Sequence, residues 1–252
     1  MPRKTTSGTK EWADYNVNCV KGCANNCKYC YAKMMAIRFG RATEETWKDM
    51  SIREEMVQKR FRKYNGRVMF PSSHDIVDIP EFKEACFTVL RHLLDVGNEV
   101  LVTTKPSINV IKDIVEDFRA FKTTMQFRFT ITSNDNEVLS FWEPNAPTYE
   151  ERLESLVLAY NEGYKTSVSI EPFLDSNPVP LVKELSPFIT ESIWIGPMNH
   201  MPRNHIPSEN IAEYERVRGI KQVDNLRNIY NHLLDFPNIR FKDSMRNKLG
   251  IS

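Results

Sequence analysis

The chain has 252 residues, with Lys+Arg 34 against Asp+Glu 33 and a formal net charge of +1, so bulk charge does not mark it as a nucleic-acid binder and leaves only a local basic patch to look for. No run of about 18 apolar residues occurs, and the N-terminal "MPRKTTSGTK" has no apolar stretch behind its charges. Five cysteines, an odd number, argue against a disulfide framework, and the expectation is a cytoplasmic protein with no membrane span.

The first strand, "YNVNCV" (15–20), runs into "GCANNCKYCY" (22–31), where Cys23, Cys27 and Cys30 fall within eight positions, and a helix is expected over 30–39. A long helical reading follows over 43–64. It carries Lys48, Arg53, Lys59, Arg60, Arg62, Lys63 and Arg67 in or beside it, with Arg60, Lys63 and Arg67 spaced to share one face that could follow phosphates. The second strand, "RVMF" (67–70), opens into "SSHDIVDIPEF" (72–82), and the helix over 81–96 places Cys86 among its core positions. "EVLVTT" (99–104) is the third strand and ends in "TTKPS" (103–107), ahead of a helix over 107–121.

The fourth strand, "MQFRFTIT" (125–132), closes into "FTITSND" (129–135), and "EPNAPTYEERL" (143–153) opens the next helix. In that helix, over 148–163, Thr148 reads as N-cap with Glu151 at the capping-box position. Leu153, Leu156, Val157 and Tyr160 form one stripe, and Gly163 sits where a C-cap belongs. "KTSVSIE" (165–171) is the fifth strand, ending in Glu171, and a helix over 178–189 leads to the sixth, "SIWIG" (192–196). The loop "PMNHMPRNH" (197–205) is polar, with Asn199, His200, Arg203, Asn204 and His205 as groups suited to base edges or phosphates. Residues 203–237 read as largely helical, and "IRFKDS" (239–244) as a late strand or an edge cover. Crossovers of this length require parallel strands, so a six-stranded parallel sheet with helices outside is expected. The chain reads as a single domain, with a core of about 15–200 and a helical extension of about 203–252.

Three thiolates can hold a cubane iron–sulfur cluster while leaving one iron without a protein ligand, and that open iron distinguishes a centre that binds a ligand directly from an electron-transfer centre with four cysteines. A structural zinc site is the alternative, but it wants four Cys or His ligands in two pairs, and no second pair lies nearby. Cys19 is a poor fourth ligand, because strand alternation points it away from the turn.

The Cx3Cx2C spacing with Tyr29 before the last cysteine resembles the signature of the radical S-adenosylmethionine (SAM) superfamily. With "SSHDIVDIPEF", "TTKPS", "FTITSND" and "EPNAPTYEERL" in that order, residues 15 to about 200 resemble its spore photoproduct lyase-like branch, which includes bacterial and phage members. The resemblance implies an α/β fold, a partial (β/α)6 TIM-type barrel, with a 4Fe-4S cluster on Cys23, Cys27 and Cys30 and with SAM as cofactor. One electron from the cluster would cleave SAM to a 5′-deoxyadenosyl radical that abstracts hydrogen. It also implies Asp75, helped by His74 or Ser73, as partner of the SAM ammonium, Lys105 as partner of its carboxylate, Thr130 or Thr132 on the ribose, Tyr29 near the adenine, and Glu171 at the same mouth. A carboxylate and an ammonium at neighbouring strand ends suit a zwitterion independently of the resemblance. Candidates for substrate contact are Glu143, Arg152, Asn199 and His200, with a structural ion pair as the alternative for Glu143 and Arg152.

The sequence departs from the branch in one respect. Spore photoproduct lyases carry a hydrogen-donating cysteine in the stretch that here reads "SSHDIV", and serines occupy it. With no second cysteine cluster either, the expected reaction is a redox-neutral rearrangement of a nucleobase-type substrate, a modified thymine in DNA being favoured. The expected partners are a flavodoxin or ferredoxin as electron donor and DNA or a nucleotide as substrate, with the protein a monomer. The alternatives are a radical SAM activase or peptide-modifying enzyme, and a non-catalytic metal-binding module.

Overall fold

The computed structural model describes residues 8–201 and 206–251; Arg203, Asn204 and His205 of the polar loop lie outside them. Seven strands form one sheet in chain order, every neighbouring pair parallel: β1 (Tyr15–Asn16), β4 (Val68–Phe70), β5 (Val100–Thr104), β6 (Met125–Thr130), β7 (Lys165–Ile170), β8 (Ile193–Ile195) and β9 (Ile239–Phe241). A short antiparallel pair, β2 (Val20–Lys21) with β3 (Ser51–Ile52), stands apart from it. The sheet curls into a partial α/β barrel of the TIM type, as expected, with β9 as a seventh strand.

The central strands are buried along nearly their whole length, as strands covered on both faces must be. Their crossovers are amphipathic helices. In α3 (Pro80–Asp95), Phe82, Cys86, Val89, Leu90 and Leu93 face the core, and in α4 (Ile108–Asp117) Val110, Ile111 and Ile114 do so. The helix α6 (Tyr149–Asn161) begins as expected, with the Thr148 hydroxyl accepting from the Glu151 N–H at 3.4 Å, and Gly163 follows it at φ 78°.

The expected helix over 43–64 is corrected: only Glu54–Val57 (α2) is helical. Ser51 and Ile52 pair with the strand that leads to the cysteines, and Trp47 is buried against the cysteine loop. Further along, Asn98 takes over the backbone groups a helix would have used, accepting from the Tyr64 N–H at 2.8 Å and donating to the Arg62 carbonyl at 3.1 Å. Tertiary contacts therefore override helix propensity. Arg60, Lys63 and Arg67 share no helical face, and Arg67 directly precedes β4 while Lys63 reaches Gly97 ahead of β5, opposite the strand ends where a barrel builds its site.

The sequence reading missed α5 (Asn136–Trp142), which Asp135 caps by accepting from the Glu137 and Val138 N–H groups. Beyond β8 lie α7's successors α8 (Ile211–Ile220), α9 (Val223–Leu233) and α10 (Asp243–Leu249), where α7 is Val179–Leu185. The 3-10 turn Gly8–Glu11 precedes β1 yet is held at the opposite edge of the sheet. There Lys242 donates to the Gly8 carbonyl at 2.9 Å and the Asp243 N–H donates to Glu11 at 2.9 Å. The N-terminal segment thus spans the open side of the barrel, with the Trp12 ring edge-on to Trp194 at 6.0 Å.

Candidate functional site

A cavity of about 700 Å³ opens at the C-terminal ends of the strands, within the roughly 300–1,000 Å³ of small-molecule sites. Cys23, Cys27 and Cys30 all line one end of it. Their loop is shaped by Gly22 at φ 80°, where a Cβ would lie 2.7 Å from the Trp47 carbonyl oxygen, and by Asn26 at φ 46°. Cys30 then caps α1 (Tyr31–Arg38), its sulfur accepting from the Lys33 N–H at 3.4 Å.

Four further contacts pin the loop. The Lys28 N–H donates to the Trp142 carbonyl at 2.9 Å and Asn145 donates to the Ala24 carbonyl at 2.9 Å. Asn25 donates to Asp75 at 2.7 Å, and the Tyr29 hydroxyl donates to Glu143. Asp75 also accepts from the Lys105 N–H at 3.0 Å, the Ile76 N–H at 2.8 Å and the Thr104 hydroxyl. Four donors fill the lone pairs of that carboxylate, so Asp75 braces the cysteine loop against the end of β5.

Glu143 plays the same part on the other flank. It accepts from Tyr29 and from Thr132 at 2.8 Å and pairs with Arg152 at 2.6 Å, both charged side chains being 0% exposed. Burial pushes the Glu143 carboxyl up, but Arg152, Lys105 and the hydroxyls of Tyr29 and Thr132 outweigh it and hold the carboxyl below its ordinary value. Neither Glu143 nor Arg152 lies on the cavity wall. The expected substrate contact is therefore corrected to its alternative, a buried ion pair, because each charge is spent on the other. Thr132 is likewise behind the wall, whereas Thr130 is on it.

Ser73, His74 and Lys105 line the cavity. The serine loop is held by Asn18, which accepts from the Ser72 and Ser73 N–H groups at 2.7 and 2.8 Å. His74 accepts from the Cys19 N–H on Nε2 at 3.1 Å, so its proton sits on Nδ1 and is given to the Asp75 carbonyl at 3.0 Å. Both nitrogens are thereby used. Burial would depress the Lys105 ammonium, but the acidic groups around it, Cys27, Tyr29, Glu143 and Asp75, outweigh burial and raise it well above its ordinary value, so Lys105 remains a cation.

Glu171, Asn199 and His200 also line the cavity, with Trp12, Ser169 and Lys242. Asn199 donates to Glu171 at 3.3 Å, and Lys242 Nζ lies 3.6 Å from the same carboxyl. Burial outweighs the nearby Lys242 charge and raises Glu171 to about 7. His200 packs on Tyr31 with ring centres 5.2 Å apart. Trp12, Asn25, Thr104, Asn145, Ser169 and Lys242 were not singled out from sequence. A hydrophilic residue i−2 from Glu171 on the same strand face was the available signal for Ser169.

The donor set fits a cluster better than a single ion. All three loop cysteines are free thiols that line the cavity, and three thiolates can hold a cubane while leaving one iron open, whereas a structural zinc wants four ligands. Burial lifts the Cys23 thiol to about 12 and raises Cys27 as well, so metal binding is what would release their protons. Cys19 faces the other way, its sulfur 3.7 Å from that of Cys86.

An uncharacterised protein of Methanocaldococcus jannaschii is 26% identical over 165 residues, which are 64% of this chain and 61% of that relative's length. Spore photoproduct lyase complexed with dinucleoside spore photoproduct shares the fold at TM-score 0.55 and 16% identity, covering 95% of this chain and 79% of that one. SuiB of Streptococcus suis bound to S-adenosylmethionine matches at TM-score 0.50 and 8% identity, covering 88% of this chain and 45% of that one. The family model described as the Radical SAM superfamily matches residues 17–175, more than half the chain. The chain therefore belongs to the radical SAM superfamily, whose cofactors are a 4Fe-4S cluster and SAM, and it shares its fold with spore photoproduct lyase.

Proposed function

We propose that this enzyme abstracts hydrogen from a nucleobase-type substrate, a modified thymine in DNA being favoured, and that hydrogen is returned to the rearranged product in a redox-neutral isomerisation. Cys23, Cys27 and Cys30 hold the cluster. Lys105 pairs with the SAM carboxylate, Thr130 meets the ribose, and Ser73, His74 and Tyr29 wall the cofactor. Asp75, with its lone pairs already filled, acts by fixing Asn25 and the Lys105 backbone. When bound, cluster and SAM together supply a carbon-centred radical that removes hydrogen from substrate. The chain works as a single domain, as a monomer in the cytoplasm, with a flavodoxin or ferredoxin as electron donor.

One observation carries the redox-neutral reading: apart from the loop cysteines, no thiol among the described residues reaches the cavity wall. Ser72 and Ser73 line it where a donor cysteine would stand, and Cys19 and Cys86 are buried against each other. The nucleobase class is supported by the shared fold with a lyase solved with a dinucleoside photoproduct and by the resemblance of the strand-end motifs.

With substrate deuterated at the abstracted position, the label is expected to appear in recovered SAM, and SAM is consumed in less than stoichiometric amount. One deoxyadenosine released per product, with no label in SAM, would overturn recycling. Turnover of a peptide and none of DNA or nucleotides would overturn the nucleobase class.

A further inference from the structure

Along β7 and just beyond it, Ser167, Ser169 and Glu171 alternate onto one face. The Ser167 hydroxyl is fully used, donating to the Phe127 carbonyl at 3.0 Å and accepting from Gln126 at 3.2 Å and Arg128 at 3.1 Å. One step nearer the mouth, Ser169 is only 1% exposed, lines the cavity, and has no hydrogen-bond partner among the described residues. The Trp12 indole N–H, in the same wall, has none either. Burying a polar group without a partner is costly, so each points to a ligand.

Glu171 completes the set. Among the described residues its carboxyl accepts from Asn199 and pairs with Lys242 at 3.6 Å, fewer partners than its lone pairs can take. Lys242 itself is spent on the Gly8 carbonyl, Glu11 and Glu171, and so positions Glu171. Gly196 permits that approach: a Cβ there would lie 2.8 Å from Lys242 Cγ and 3.0 Å from Glu171 Cγ. At the cysteine end, by contrast, Asp75 and His74 are saturated by protein groups. Ser169, the Trp12 indole and Glu171 thus keep hydrogen-bonding capacity on the cavity wall.

We infer that Ser169, Glu171 and Trp12 form the substrate-recognition subsite and that it reads the edge of a lactam or imide ring, with Glu171 accepting the ring N–H and Ser169 and Trp12 donating to its carbonyls. One acceptor and two donors complement an imide edge, which offers one donor and two acceptors. A phosphate is disfavoured beside Ser169 and Glu171, because Glu11 and Glu171 flank the Lys242 ammonium, and a cationic ligand would meet Lys242. The inference rests on the nucleobase reading above and assigns which residues read the base.

The test uses anaerobically reconstituted enzyme with SAM bound, and the probes are thymidylyl-thymidine and its N3-methylated counterpart. The unmodified dinucleotide is expected to bind at least 10-fold more tightly than the methylated one, and Ser169→Ala is expected to weaken it about 5-fold. Glu171→Ala is expected to bind the two probes equally. Equal binding of both probes by the unaltered enzyme would overturn the subsite while leaving the nucleobase reading intact, and needs no variant to fold. Failure of both probes to bind would overturn the nucleobase reading and the subsite with it.

Discussion

Cys23→Ala, Cys27→Ala and Cys30→Ala are each expected to abolish cluster assembly. Anaerobic reconstitution of the unaltered chain should yield about four irons and four sulfides per protein with visible charge-transfer absorption, and each variant should hold close to none. The reason is that all three sulfurs line one end of a single cavity, on a loop pinned at Asn25, Lys28 and Tyr29. Cys19→Ala and Cys86→Ala supply the contrast. Their sulfurs face each other 3.7 Å apart, and Cys19 and Cys86 are 0% and 1% exposed and off the wall, so iron content should be retained. Iron and sulfide analysis across the five variants checks both halves.

Arg152→Met is expected to destabilise the fold by about 3–5 kcal/mol, since it leaves the Glu143 carboxylate buried with no countercharge. For a chain of this size that is a fall in melting temperature on the order of 10 °C. The double variant Glu143→Gln with Arg152→Met should lose less than Arg152→Met alone, because no uncompensated charge then remains. Thermal melts of the single and double variants decide it. A loss under about 1 kcal/mol for Arg152→Met would mean the pair does not carry the load its full burial implies.

The barrel was legible because its strands are short apolar runs at regular spacing and its helices have clean stripes, as in α3, α4 and α6. The segment 43–64 misled because its charged composition favours a helix, while Asn98, 34 residues beyond Tyr64 and 36 beyond Arg62, claims its backbone groups. The three cysteines and Lys105 were readable from motif and strand-end position. Trp12 and Lys242 were not, because they reach the cavity only through the N-terminal segment crossing to β9, a closure that no local pattern announces. Glu143 was noticed as a charge beside the site, but its role as the anchor of Tyr29 depends on α5, whose seven residues are too short to show a periodicity.

The most direct measurement of the central claim is SAM cleavage by the reconstituted, chemically reduced protein, followed by chromatography of the products. Formation of 5′-deoxyadenosine and methionine, dependent on the reductant and lost in the Cys27→Ala variant, is the expected result. Intact SAM after incubation with a fully loaded and reduced cluster would contradict the assignment of this cavity as a radical SAM site.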